Sequence, residues 1–450
     1  MDQLKSNIFG EIWTSREIER HLRMLCDRIG PRFMNTGGEK AAANYILDQF
    51  QSYGLDKVRR ENFVYTAWKR GKARLTVCGP AKMDLKVMAM GHAPSTPQNG
   101  LRKKLAVVES VRGTNGIPSL RGKIVLIIPR EGGPERAEHA SISVQRAARL
   151  GAEAVILAAP ALKTVSASLM GRKPSIPAAI MAREKACRLR QEWEKYGDLE
   201  INLRLRGKTV PRAISCNIIG EITGSVRPDE KIIVTAHYDS WDNTVGAGDD
   251  ASGTAAVMEL ARIFSKHKGG FKRSLQFICF SGEEIGLVGS NAYARSHARD
   301  LHSIVLMLNI DPAGSTNFWV GGFAEMLRWL TRTAKTAGWQ NRAERYVAYN
   351  TDCFPFLMRG VPAVWMMSRE RRGWLFDPRC LSHGHTEHDT PDKVDIFDVK
   401  EAMSVVADTC LRLADAKHRP DHLQIMREVR RWLAQDTVLV DTLKTGGIWP

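Results

Sequence analysis

Four aspartates and a histidine crowd into HYDSWDNTVGAGDD: His237, Asp239, Asp242, Asp249 and Asp250. Like charges this close repel one another unless a cation or a proton lies among them. Other ligand-type residues recur further along the chain. Glu283 and Glu284 follow the apolar run FICFSG, Asp311 follows VLMLNI, and SHGHTEHDT supplies His383, His385 and His388. Imidazole and carboxylate donors together suit zinc and related divalent ions. A lone histidine after a strand is ordinarily a hydrogen-bonded structural residue, and paired glutamates ordinarily form a solvated turn. Five acid or imidazole sets in the same kind of position are not explained that way, and they favour a carboxylate-rich site for two metals.

The elements that must position these residues can be read from the apolar pattern. KIIVTA, SLQFICF and SIVLMLNID read as strands. Between them, GTAAVMELARIFSKH places Val257, Leu260, Ala261 and Phe264 on one helical face, and GSNAYARSHARD reads as a second helix. Strands alternating with helices imply an α/β fold with a mostly parallel central sheet flanked by helices. Such sheets bind ligands beyond the carboxyl ends of their strands, where the ligand-type residues fall. Nearer the N-terminus, residues 38–53 carry Ala42, Tyr45, Ile46 and Phe50 at helical spacing, with Gly54 as a stop. From 72 to about 209 the texture changes to short apolar runs (KARLTVCG, KLAVVESV, GKIVLIIP, AEAVILAA) between Gly/Pro turns, with a helix-like stretch near 138–151. That segment reads as a separate strand-rich unit, and the final thirty residues as an appended helix and tail.

A chain of 450 residues suggests two or three domains, and 43% hydrophobic with 26% charged residues is a globular composition. No apolar run approaches the roughly 20 residues of a membrane helix. The N-terminal segment lacks the apolar core of a signal peptide, so the expected compartment is cytoplasmic as the chain stands, or secreted if a leader is missing. Eight cysteines with no CxxC argue against a disulfide framework or a thiolate zinc site. The net charge of +17 is scattered through clusters such as LRKK, KVRRE and RERRG, with no nucleic-acid module. Neither nucleic acid nor membrane is expected as a partner.

HYDS, GAGDDASG, SGEEIGLVGS, NID and HTEHDT, in this order and spacing, resemble the co-catalytic zinc exopeptidases of peptidase family twenty-eight. Bacterial leucine-type aminopeptidases, aminopeptidase Y and glutamate carboxypeptidase belong to that family. IGPRFMNTGGEKAAANYI resembles its N-terminal segment, and LRGKIVLI, GAEAVIL and IPAAI resemble the mainly β protease-associated domain inserted into many members. The resemblance implies a discontinuous catalytic domain over 1–74 and 210–420, an inserted domain over 75–209, and a C-terminal helix and tail over 421–450.

By motif position, the resemblance implies two zinc ions per chain. His237 and Asp311 would hold one, Glu284 and His385 the other, and Asp249 would bridge them. Asp239 would orient the His237 ring, and Glu283 would be the general base for a water activated by the two metals. Asp250 reads as structural, after a cis peptide that the resemblance also implies, and His388 as solvated or supporting. TDCFPF resembles a pocket-lining element, so Asp352 is expected to contact substrate. Arg369, Arg371 and Arg372 of SRERRGW are either solvated or clamp a substrate carboxylate, a bidentate role that suits arginine.

The resulting expectation is a metallo-aminopeptidase acting on peptides, because an acidic pocket floor favours a free α-ammonium. A carboxypeptidase or dipeptidase of the same fold is the alternative, followed by a glutaminyl-cyclase-like enzyme and a non-catalytic scaffold like the transferrin receptor. Oligomeric state is left open, with a homodimer among the options.

Overall fold

The computed structural model describes residues 2–79, 82–111, 119–130, 140–159, 174–313, 318–321, 330–331, 342–344, 350–368, 383–417, 419, 422–435, 440 and 444. Its strands in chain order are β1 (Asp56–Cys78), β2 (Met83–Leu85), β3 (Met88–Ala89), β4 (Leu101–Val108), β5 (Ile124–Ile127), β6 (Ala154–Ala158) and β7 (Ala178–Met181). They continue with β8 (Glu200–Ile222), β9 (Arg227–His237), β10 (Arg273–Phe280), β11 (Ile304–Ile310), β12 (Phe318–Gly321), β13 (Arg342–Glu344) and β14 (Ala363–Ser368). The hydrogen-bonded order is β13-β12-β14-β11-β9-β10-β8-β4-β5-β6-β7-β3, with β1 paired to β8 and β2 to β1.

The centre of this array is β9, with β10 and β11 parallel to it on either side. All of β10 and β11, and β9 from Ile232 to His237, are buried. Continuous apolar runs of this kind belong to strands covered on both faces. Helices α1 (Asp2–Thr14), α2 (Glu17–Leu22) and α3 (Gly37–Ser52) precede the sheet. One core joins Ile46 and Phe50 of α3, Phe277 of β10, Leu306 of β11, Phe264 and Val406. Phe264 lies on the helix Ser252–Ser265, which begins at the sheet's carboxyl edge and is buried almost throughout. Gly253 is required there, because a Cβ would lie 2.3 Å from the Ile310 carbonyl oxygen. Val406 lies on the helix Ile396–Asp415. In the helix His422–Leu433, Ile425, Val429 and Leu433 face a second core, which also holds Phe280 and Phe356.

The strand-rich segment departs from expectation in two ways. Its boundaries do not fall between elements: residues 74/75 and 209/210 lie inside β1 and β8, two 23-residue antiparallel strands. The Ile218–Ile222 end of β8 pairs with β10 of the central sheet, while its Ile201–Leu203 end pairs with β4. One ribbon therefore serves both sheets. The segment is also α/β rather than mainly β, since β4, β5, β6 and β7 pair in parallel and so need crossover connections. Helix Ala140–Arg149 lies between β5 and β6 in sequence, and helix Arg183–Tyr196 follows β7 and leads into β8. The second helix buries only Ala186 and Leu189, too sparse an apolar stripe to stand out in RLRQEWEK. Among the described residues, no helix is long and apolar enough to cross a membrane, and the cysteines are free thiols.

Candidate metal centre

His237 is the last residue of β9 and pairs in register with Phe280, the last residue of β10. The turn carrying Glu283 and Glu284 therefore leaves the sheet beside His237. β11 ends at Ile310, one residue before Asp311. Three adjacent parallel strands thus deliver their polar residues to one edge, as the sheet geometry requires.

Buried groups outside the ligand set hold the loops at this edge. Arg32 is fully buried beneath the loop that follows β9. Its Nε donates to the Tyr238 carbonyl at 2.7 Å, Nη1 to Val245 at 2.6 Å, and Nη2 to Gly246 at 3.0 Å. Nη1 also donates to the Leu25 and Gly30 carbonyls at 3.2 Å each, tying that loop to the N-terminal helices. Glu39 of α3 accepts from the hydroxyls of Ser281, at 2.8 Å, and Ser215. The carboxylate of Asp239 accepts the amide N–H of Glu283 at 3.2 Å and of Glu284 at 3.4 Å, which fixes the acidic turn. Asp389 accepts the N–H of Gly248 at 2.7 Å and of Asp249 at 3.1 Å.

With these supports, Asp249 stands between two imidazoles. Its Oδ1 is 3.1 Å from His237 Nε2 and its Oδ2 is 3.1 Å from His385 Nε2. Asp311 Oδ1 lies 3.6 Å from His237 Nε2, and Glu284 Oε2 lies 2.9 Å from His385 Nε2. Donor atoms within 4.8 Å of one another form two groups: His237, Asp311 and Asp250, and Asp249, Glu284 and His385. The oxygens of Asp250 are already engaged by the N–H of His237 at 3.2 Å and of Gly253 at 3.0 Å, as a structural role requires. The peptide between Asp249 and Asp250 is cis.

The electrostatics suit a cation. Burial pushes the carboxyls of Glu283 and Asp311 up, and that of Glu284 up to about 7, and neighbouring acids add to the effect. Burial would raise Asp249 too, but the imidazoles on its two oxygens hold it below the usual carboxylate range. Burial opposes charge on His237 and His385, yet the facing carboxylates raise both imidazoles well above their ordinary value. Divalent ions relieve this frustration by drawing the carboxylates into the charged form and the imidazoles into the neutral form. The donor set of imidazoles and carboxylates therefore fits zinc.

Other expected site residues fall as follows. His237 Nδ1 sits 3.1 Å from the main-chain oxygen of Asp239 and 3.4 Å from its carboxylate, so Asp239 holds both the ring and the acidic turn. Asp352 is fully buried, and burial pushes it up to about 7, so it lines no open surface. His388 has a half-exposed side chain, in keeping with its solvated reading. Arg369, Arg371 and Arg372 lie outside the described residues. The sequence reading missed Arg32, Glu39 and Asp389, although the motifs that contain them were in view. A charged residue inside an otherwise apolar or Gly-rich run (GPRF, GGEK) was the available signal.

Residues 217–410 match the model of peptidase family M28. All five ligand-type residues lie inside the M28 match. Among curated proteins, the chain is 27% identical to mouse carboxypeptidase Q over 312 residues, 68% of this chain and 66% of that protein. It is 29% identical to aminopeptidase YwaD of Bacillus subtilis over 300 residues, 66% of this chain and 61% of that protein. The chain thus spans about two thirds or less of the length of these curated relatives. Among solved structures, an M28 peptidase precursor from Shewanella amazonensis matches with a TM-score of 0.78 at 23% identity, covering 93% of this chain and 98% of that one. A zinc aminopeptidase from Bacillus subtilis matches with a TM-score of 0.71 at 23% identity, covering 90% and 96%. The fold is that of the M28 peptidases.

Proposed function

We propose that this chain is a metal-dependent exopeptidase that removes the N-terminal residue of peptides. His237 and Asp311 would hold one zinc ion, Glu284 and His385 a second, and Asp249 would bridge them. The observation that carries this reading is the Asp249 carboxylate facing both imidazoles at 3.1 Å. Two such ions supply Lewis acidity at the scissile carbonyl and acidify a water. Glu283 is the general base. It neighbours a ligand on a turn fixed by Asp239, and its side chain is half-buried where Glu284 is buried. Its carboxylate takes a proton from the attacking water and returns it to the leaving amine. The surrounding acids favour a substrate ammonium over a carboxylate. The 75–209 segment is proposed to narrow access, because its core continues into Phe33, Trp241 and Ile285 beside the metal-bearing turns.

Similarity to carboxypeptidase Q keeps a second reading in play, recognition of the C-terminal end of the substrate. Matched dipeptides decide between the two. Cleavage should be abolished by N-acetylation and tolerate C-amidation, whereas the reverse pattern would assign the chain to the carboxypeptidase side.

A further inference from the structure

Asp242, the remaining aspartate of the opening stretch, faces away from the ligand set. Its carboxylate receives Arg70 Nε, at 3.0 Å on Oδ1 and 2.9 Å on Oδ2. Arg70 lies on β1, in the ribbon shared by the two sheets, and its Nη1 donates to the carbonyl of Ala89 on β3. The guanidinium stacks over Trp68 at 5.2 Å and Trp241 at 5.3 Å. Trp241, fully buried, lies face to face with Phe33 at 5.4 Å and meets the His385 ring at 6.2 Å with an interplanar angle of 70°. Arg70 is thus joined to the inserted segment, to the loop after β9, and through one aromatic ring to a ligand-type histidine. The Arg70 side chain is 11% exposed and that of Asp242 29%, so water screens the pair only in part.

We propose that Arg70 is a positioning residue for the metal bound through His385, acting through Asp242 and Trp241. This rests on the two-metal reading above. His385 sits in a left-handed backbone conformation, φ 58°, on the turn following His383. Its ring orientation is therefore not set by a regular element, and Trp241 supplies a wall against it. Arg70 fixes that wall from two sides, through the ion pair one residue along the chain and through stacking on the indole face. Lysine cannot replace it, since a point charge neither donates in this fork geometry nor stacks as a plane. The inserted segment is then part of the apparatus that sets metal affinity, besides any part in admitting substrate.

The test uses the full chain loaded with cobalt(II), titrated with a chelator and followed by visible absorption. Wild type should release two ions, and His385→Ala identifies the spectral component of the ion bound through that residue. Arg70→Met should weaken the same component by about tenfold, the lower end of the range for residues that orient ligands, and leave the other unchanged. Asp242→Asn should act in the same direction, and Arg70→Lys should recover only part of the loss. Arg74→Met, on the same strand but in a surface pair with Asp84, should leave both ions as in wild type. If Arg70→Met does not fold by thermal unfolding, Asp242→Asn carries the comparison. Folded variants that hold both ions at wild-type affinity, or lose both equally, overturn the proposal. A wild type that binds fewer than two ions overturns the two-metal reading instead, and this is seen before any substitution is made.

Discussion

Lowering the pH should destabilise this protein through one buried histidine. His21, on α2, is fully buried, with Nδ1 2.7 Å from the Tyr45 hydroxyl and Nε2 3.1 Å from the Tyr53 hydroxyl. The two phenols satisfy a neutral imidazole, one donating and one accepting. Burial, with Arg20 and Arg262 adding like-charge repulsion, lowers the imidazole from 6.5 to about 3. The unfolded chain therefore binds a proton near pH 6.5 that the folded chain refuses until about pH 3. The stability from keeping this ring neutral is fully present above 6.5 and is lost as pH falls through that window. At pH 5 the loss is about 1.5 pH units' worth, or roughly 2 kcal/mol at 1.36 kcal/mol per unit.

The assay is denaturant unfolding at pH 7.5 and pH 5.0, with chelator present so that metal linkage does not contribute. His21→Gln keeps a hydrogen-bonding side chain and removes the titration. The difference in unfolding free energy between the two pH values should be smaller in the variant by about 2 kcal/mol, and other titrating groups cancel in this comparison. Equal pH dependence in wild type and variant would refute the reasoning. The consequence reaches the site, because α2 runs into the segment whose Leu25 and Gly30 carbonyls anchor Arg32.

Other expectations follow from single contacts. Glu283→Gln should keep both metals, by elemental analysis, and lower turnover about a hundredfold, the usual scale for loss of a general base. Glu284→Gln should lose one metal in the same analysis. Asp389→Asn leaves one acceptor for two amide donors at the Asp249 turn and should weaken metal binding about tenfold in a chelator competition. Arg32→Met removes the donor shared by five carbonyl oxygens, of which those of Leu25 and Gly246 keep a backbone N–H partner, and should destabilise the fold by about 3 kcal/mol in denaturant unfolding. Zinc at a hundred times its dissociation constant should stabilise the wild-type fold by about 2.7 kcal/mol for each site filled, seen as a raised melting temperature that a chelator reverses.

The central sheet was legible because its strands are continuous apolar runs, and the helix after Asp250 because its apolar spacing is regular. His237, Glu284 and Asp311 were legible because each follows such a run, whereas Asp249 and His385 were legible only through the motifs GAGDDASG and HTEHDT. The long ribbon was not. β1 includes ENFVYTAWKRGKARLTV, where lysines, arginines and a glycine interrupt the alternation, and its register shifts between Arg70 and Ala73. Only pairing with β8 shows that one strand continues through the interruption. The same tertiary dependence hid Arg32 and Glu39, whose partners at Tyr238, Ser240, Ser215 and Ser281 lie far along the chain.

The four aspartates of the opening stretch now separate by what each oxygen meets. Asp239 receives the amides of the acidic turn, and Asp250 those of His237 and Gly253. Asp242 receives a guanidinium. Only Asp249 has both oxygens directed at imidazoles, and its own backbone N–H is held by Asp389. Three of the four carboxyl groups therefore meet protein N–H donors, and the fourth, Asp249, faces the two imidazoles that would each hold one of a pair of dications. The asymmetry is the physical argument that the crowding serves a metal site.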